Sequence, residues 1–106
     1  MIELEAIQEF NRRVVQKYKP LKVILFGSHA TGKPSADSDV DILIILPFKG
    51  KSAAMSVEIL NQIDPRFPID LLVRTPEQVQ DRLEKGDYFF QEIVRKGKVL
   101  YEASHA

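Results

Sequence analysis

Asp39 and Asp41 stand one residue apart in Asp39-Val-Asp-Ile-Leu-Ile-Ile-Leu46, an apolar, β-branched run that reads as a strand stopped by Pro47. On a strand, residues i and i+2 share a face, so both carboxylates point the same way, about 7 Å apart at the backbone. Strand interiors rarely carry Asp. Two like charges on one side of a buried strand repel each other and lose hydration unless a cation sits between them, and a divalent metal is the economical answer. Asp70 repeats the anomaly inside another short apolar strand, Ile69-Asp-Leu-Leu-Val73. Carboxylates at 39, 41 and 70 on adjacent strands, with no Cys in the chain and no His beside them, predict an all-oxygen site suited to Mg2+ or Mn2+ rather than zinc.

Other chemistries fit this stretch less well. Asp37, Asp39 and Asp41 imitate the first ligands of an EF-hand loop, but Ile42 stands where its Gly belongs and Phe48 where its Glu belongs. Gly27 through Lys33 has the G-x-x-x-x-G-K spacing of a P-loop, directly after a strand. Pro34 then occupies the Ser/Thr position, and a strand follows where a long helix should run. Taken singly, each Asp is equally at home in a solvated turn or on an exposed face. Their combination is not.

The elements that must hold these residues are legible from periodicity. Ile2, Ala6, Ile7, Phe10, Val14 and Tyr18 recur at three-to-four-residue intervals, an amphipathic helix closed by Pro20. Lys22 to Phe26 reads as a buried strand running into the tight turn Gly27-Ser28. Residues 29 to 38 allow no more than a turn or two of helix. A second helix fits Lys51 to Ile63, with Ala53, Val57, Leu60 and Ile63 on one side, and a third strand runs from Phe67 to Val73. Thr75-Pro-Glu-Gln78 carries the signals of a capping box and starts a helix through Leu83. Gly86-Asp87 starts another that ends at Gly97, Lys98 to Tyr101 is a last strand, and the final five residues are expected to fray. Three consecutive aromatics, Tyr88, Phe89 and Phe90, cannot all face inward, so one of them is a candidate for partner contact. The alternation predicts an α/β (α+β) fold with a small sheet of three to four strands flanked by helices.

Composition narrows the function classes. The 106 residues suit one compact domain over 1–106, with no room for a separate substrate domain. Fifteen basic and fifteen acidic side chains cancel, so no overall positive field draws the chain to nucleic acid or to an anionic membrane. The absence of Cys excludes disulfides and thiol nucleophiles. Glu3, Glu5 and Glu9 interrupt anything like a signal peptide, and the apolar run Ile42 to Leu46 is too short to span a bilayer. A soluble, cytoplasmic domain is expected.

Gly27-Ser28, ten residues, then Asp39-Val40-Asp41 resembles the G-S-x10-D-x-D signature of nucleotidyltransferases of the DNA polymerase β superfamily. Nearly the whole chain is similar to the minimal nucleotidyltransferase (MNT) domains, including the antitoxins that accompany HEPN-domain toxins. The resemblance implies a polymerase β-like mixed sheet and a catalytic triad of Asp39, Asp41 and Asp70. It assigns Gly27 and Ser28 to the triphosphate of ATP. Asp39 and Asp41 would share two magnesium ions, about 3.5–4 Å apart in such sites, and Asp70 would complete the acceptor-side ion and act as base.

Where related minimal domains often read G-S-R-A-R-G, this chain has Gly27-Ser28-His29-Ala30-Thr31-Gly32, so His29 and Thr31 replace two cations and Lys33 is the nearest certain positive charge. The resemblance implies an adenylyltransferase that moves AMP from ATP to a hydroxyl, a tyrosine's, on a partner HEPN toxin, in a hetero-oligomer and without direct nucleic-acid contact. Two other readings use the same residues: a non-catalytic module that neutralises the toxin by binding, and a nucleotidyltransferase for a small molecule.

Overall fold

The computed structural model describes residues 4–34 and 37–104; Ile2 and the last two residues of the expected frayed end lie outside that range. Helix α1 (Leu4–Tyr18) buries Ile7, Phe10 and Val14, the face its periodicity predicts. Lys19 leaves the helix at φ 48, and the buried Pro20, with no N–H to donate, cannot continue it. Then follow β1 (Lys22–Phe26), the single turn α2 (Ser28–Thr31), β2 (Val40–Ile45), α3 (Ser52–Ile63), β3 (Ile69–Arg74), α4 (Pro76–Glu84), α5 (Tyr88–Lys96) and β4 (Lys98–Glu102).

The strands form one mixed sheet in the order β3-β2-β1-β4, at the upper end of the three to four strands expected. β1 is antiparallel to both β2 and β4, while β2 and β3 run parallel and are joined through α3. A parallel pair requires such a crossover, so the helix between the two Asp-bearing strands is what allows them to lie side by side in register.

Helices cover both faces of the sheet. On one, α1 and α3 pack Ile7, Phe10, Val14, Ile59 and Ile63 against Val23, Leu25, Ile42 and Ile44. On the other, α4 and α5 pack Val79, Phe90 and Ile93 against Ile24, Phe26, Leu43 and Ile45. Burial on both faces explains why Ile42 to Ile45 is continuously apolar instead of alternating. The edge strands β3 and β4 are more exposed.

One expectation about α3 is corrected. Its inward face is Ile59 and Ile63, with Met55 and Leu60 partly buried, while Ala53 and Val57 are exposed. The i, i+4 series 55, 59, 63 meets the sheet, and the rival series through 53 and 57 is turned from it by roughly half a helical turn. The capping box at α4 is present in full: Thr75 Oγ1 accepts from the Gln78 N–H at 3.1 Å, and Gln78 Oε1 accepts from the Thr75 N–H at 2.9 Å. Asp87 caps α5 by accepting from the Phe90 N–H. At the far end of α5, a Cβ on Gly97 would collide with the Ile93 carbonyl and the Ile24 side chain, so glycine lets the helix end close onto β1.

Candidate functional site

Strand register builds the candidate site. Asp41 lies opposite Phe26 of β1 on one side and opposite Asp70 of β3 on the other. Alternation along β2 puts Asp41 on the same face as Leu43 and Ile45, which pack under α4 and α5. Asp39 immediately precedes β2. The acidic residues therefore gather at one end of the sheet, where β1 stops and β2 and β3 begin.

The turn that ends β1 reaches the same corner. Gly27 adopts φ 74 and ψ −155, and a Cβ at this position would overlap the Asp41 carboxylate. No other residue fits both the backbone conformation and that contact. The Gly27 carbonyl accepts from the N–H groups of Ala30 and Thr31, and the Ser28 carbonyl accepts from the Lys33 N–H, which winds the chain into α2 and holds His29 beside the corner. His29 is half-buried, and both its ring nitrogens are shielded from solvent with no hydrogen-bond partner among the described residues. Lys33 is exposed.

The electrostatics single out Asp41. Burial pushes its carboxyl above the ordinary value, and the negative charges of Asp70 and Asp39 push it further, against a smaller opposing effect from His29. Asp39 and Asp70 are exposed, so the burial expected of the whole acidic set falls on Asp41 alone. The reason is position: Asp41 sits on a central strand, while Asp39 precedes it and Asp70 is near the start of an edge strand.

The donor set fits a hard divalent cation. It is all oxygen, and the mutual repulsion focused on Asp41 is what a cation relieves. Yet among the described residues no three His, Cys, Asp or Glu side chains are already arranged to hold a metal. The His29 nitrogens, without a partner among the described residues, mark the same corner as polar.

A feature the sequence left open lies next to this corner. A cavity of about 250 Å3 opens between the end of β1 and α5, and Gly27 borders it. Of the three consecutive aromatics, Phe90 is core, Tyr88 points outward, and Phe89 lines this cavity while 49% exposed. The run of aromatics was the only signal in the sequence.

Comparison with known proteins agrees with this architecture. Residues 8–106 match the nucleotidyltransferase family of polymerase beta. A protein of Methanocaldococcus jannaschii named for protein adenylyltransferase activity is 47% identical over 105 residues, covering 95% of this chain and all of the relative. A nucleotidyltransferase structure from Sulfolobus solfataricus superposes with a TM-score of 0.64 at 20% identity, over 93% of this chain and 79% of that one. A toxin-antitoxin structure with AMP-PNP gives a TM-score of 0.59 at 18% identity, over 92% and 74% of the two chains. A mutant of the toxin-antitoxin MntA-HpeT gives 0.56 at 18%, over 97% and 76%. At these identities the solved structures speak for the fold alone, while the family match spans nearly the full length and includes the turn and Asp39, Asp41 and Asp70. The chain belongs to the polymerase beta family of nucleotidyltransferases.

Proposed function

We propose that this protein transfers AMP from ATP to a tyrosine hydroxyl on a HEPN-type toxin and so acts as its antitoxin. The observation that carries the reading is the register that aligns Asp41 with Asp70, with the Asp41 carboxylate close against Gly27. The substrate class is supported by the 47% identical relative named for protein adenylyltransferase activity, and the toxin partner by two fold neighbours that are toxin-antitoxin structures. The chain is read as a single catalytic domain over its 106 residues.

In this reading Gly27 lets the triphosphate approach the backbone closely, and Ser28 offers its hydroxyl and N–H to the outer phosphates. Asp39, Asp41 and Asp70 would hold magnesium, or manganese, which when bound supplies positive charge to the triphosphate and the departing pyrophosphate. Asp70 takes the proton from the acceptor hydroxyl. The hydroxyl oxygen then bonds to the α phosphorus, the bond from that phosphorus to the bridging oxygen breaks, and pyrophosphate leaves.

A second reading, toxin neutralisation by binding without chemistry, draws on one observation: the acidic side chains are not already arranged around a metal. One experiment separates the two. Incubation with ATP, Mg2+ and a HEPN-type partner is expected to add AMP to the partner's intact mass, and Asp70→Asn to slow that addition at least about a hundredfold while leaving the complex intact. Neutralisation that survives Asp70→Asn, with no mass increment from the parent chain, supports binding alone.

A further inference from the structure

The two edges of the sheet differ. At β4, Val23 lies opposite Tyr101 and Ile24 opposite Val99, so Leu100 is an extra, bulged residue, and Asn11 of α1 donates to its carbonyl at 3.3 Å. A bulge and a covering side chain are ordinary ways of stopping a strand edge from pairing further. The edge strand β3 has neither over its first half. It pairs with β2 in unbroken register from Ile69 to Arg74.

The hydrogen bonds show which peptide groups of β3 are spare. The Pro68 carbonyl accepts from the Val40 N–H at 3.0 Å and the Arg74 carbonyl from the Leu46 N–H at 3.1 Å. In a parallel ladder of that register, Asp70, Leu72 and Arg74 turn their peptide groups toward β2, and Ile69, Leu71 and Val73 turn theirs outward. The Val73 carbonyl is taken by the Arg74 guanidinium at 2.8 Å, which closes that end of the edge. The outward groups of Ile69 and Leu71 have no hydrogen-bond partner among the described residues.

These two residues flank Asp70. An antiparallel strand bonded to both places one of its own residues opposite Asp70 in a non-hydrogen-bonded pair, where Cα atoms stand about 4.5 Å apart and side chains are closest. That residue projects from the sheet face that carries Asp70 and Asp41. Its neighbour two positions along meets the half-buried Leu72.

We propose that the acceptor protein docks by strand addition: an extended segment pairs antiparallel with β3 at Ile69 and Leu71 and sets its tyrosine opposite Asp70. The occupant follows from the chemistry of the strand itself, because the spare groups bracket the carboxylate that takes the proton of the acceptor hydroxyl. The inference rests on the nucleotidyl-transfer reading and adds to it how the acceptor is held.

Amide exchange, read by NMR on the full chain with and without a HEPN-type partner, tests the docking. Exchange of the Ile69 and Leu71 N–H groups should slow at least about tenfold in the complex. Ile69→Pro, which removes an outward N–H that β2 does not use, should weaken the complex at least about tenfold, and Ile69→Ala, which keeps that N–H, by less than about threefold. A thermal midpoint near the parent's shows that both variants are folded, and if Ile69→Pro is not, the exchange result on the parent chain decides alone. A partner that gains AMP without slowing exchange at Ile69 and Leu71 overturns strand addition and leaves the transfer reading intact. Equal weakening by the two variants also overturns it, because the side chain and not the backbone then carries the contact. Slowed exchange without any AMP increment supports the docking and contradicts the transfer reading.

Discussion

The two faces of the sheet are built from the same strands and do different work. Under α1 and α3 the packing is broad and mainly apolar, and Val14, Val23, Ile42, Ile44 and Ile59 are fully buried. Under α4 and α5 the apolar packing is smaller. It stops at Phe26, Leu43 and Leu72, and beyond them the same face carries Asp41, Asp70 and an open cavity. A strand offers alternate residues to opposite faces, so β2 can be wholly apolar toward one and end in a carboxylate toward the other. The fully buried side chains are concentrated on the closed face, and the candidate site lies on the open one.

Substitutions on either side should break this contrast in opposite ways. Ile42→Ala, in the sealed face, should cost about 2–5 kcal/mol, a large share of the roughly 5–15 kcal/mol that holds a domain folded. Chemical denaturation reads this as a lower midpoint with an unchanged slope. The molecules that remain folded should keep their transfer rate.

Gly27→Ala should cost less, about 1–3 kcal/mol for the left-handed backbone, but it also drives a methyl group into the Asp41 carboxylate. Transfer should be lost while most of the protein remains folded, and an activity assay beside a thermal melt checks the split. Thr75→Ala, which removes the side-chain half of the α4 cap, should cost about 1 kcal/mol and leave transfer untouched.

The smallest expected effect concerns pH. The folded Asp41 carboxyl titrates above its ordinary 3.8, so the folded chain binds a proton there more readily than the unfolded chain. Without metal, its contribution to stability is therefore greatest in acid and falls as pH rises from about 3.8 through the raised folded value. Asp41→Asn removes that penalty. The metal-free variant should melt slightly above the parent at pH 7, by a few degrees at most because the group is partly solvated, and the gap should close toward pH 3. Added Mg2+ should raise the parent's midpoint and not the variant's.

How much of this was legible in the sequence follows from how local each signal is. The helix through Phe10 and Val14, the cap at Thr75 and Gln78, and the strand that runs into Gly27-Ser28 are written in neighbouring residues, and they lie where expected. The anomaly of Asp in a strand was legible for Asp41 and Asp70, because it needs only the identity of the flanking residues. Their alignment across β2 and β3 depends on a parallel crossover, which no local pattern encodes. Exposure of Asp70 depends likewise on strand order, which made its strand an edge. The inward face of α3 was misread because Ala53 and Val57 are as apolar as the residues that pack, and only the docking angle chooses between the two series. The cavity joins Phe26 and Thr31 to Phe89 and Gly97, residues more than fifty positions apart in sequence.

The most direct test of the account is the intact mass of a HEPN-type partner followed over time with ATP and Mg2+, using the parent chain and Asp41→Asn side by side. The account predicts steady addition of AMP units by the parent and a rate lower by at least about a hundredfold for a variant that is folded at least as stably. Equal rates from the two chains would contradict it, because the carboxylate at the centre of the acidic corner would then have no part in the chemistry.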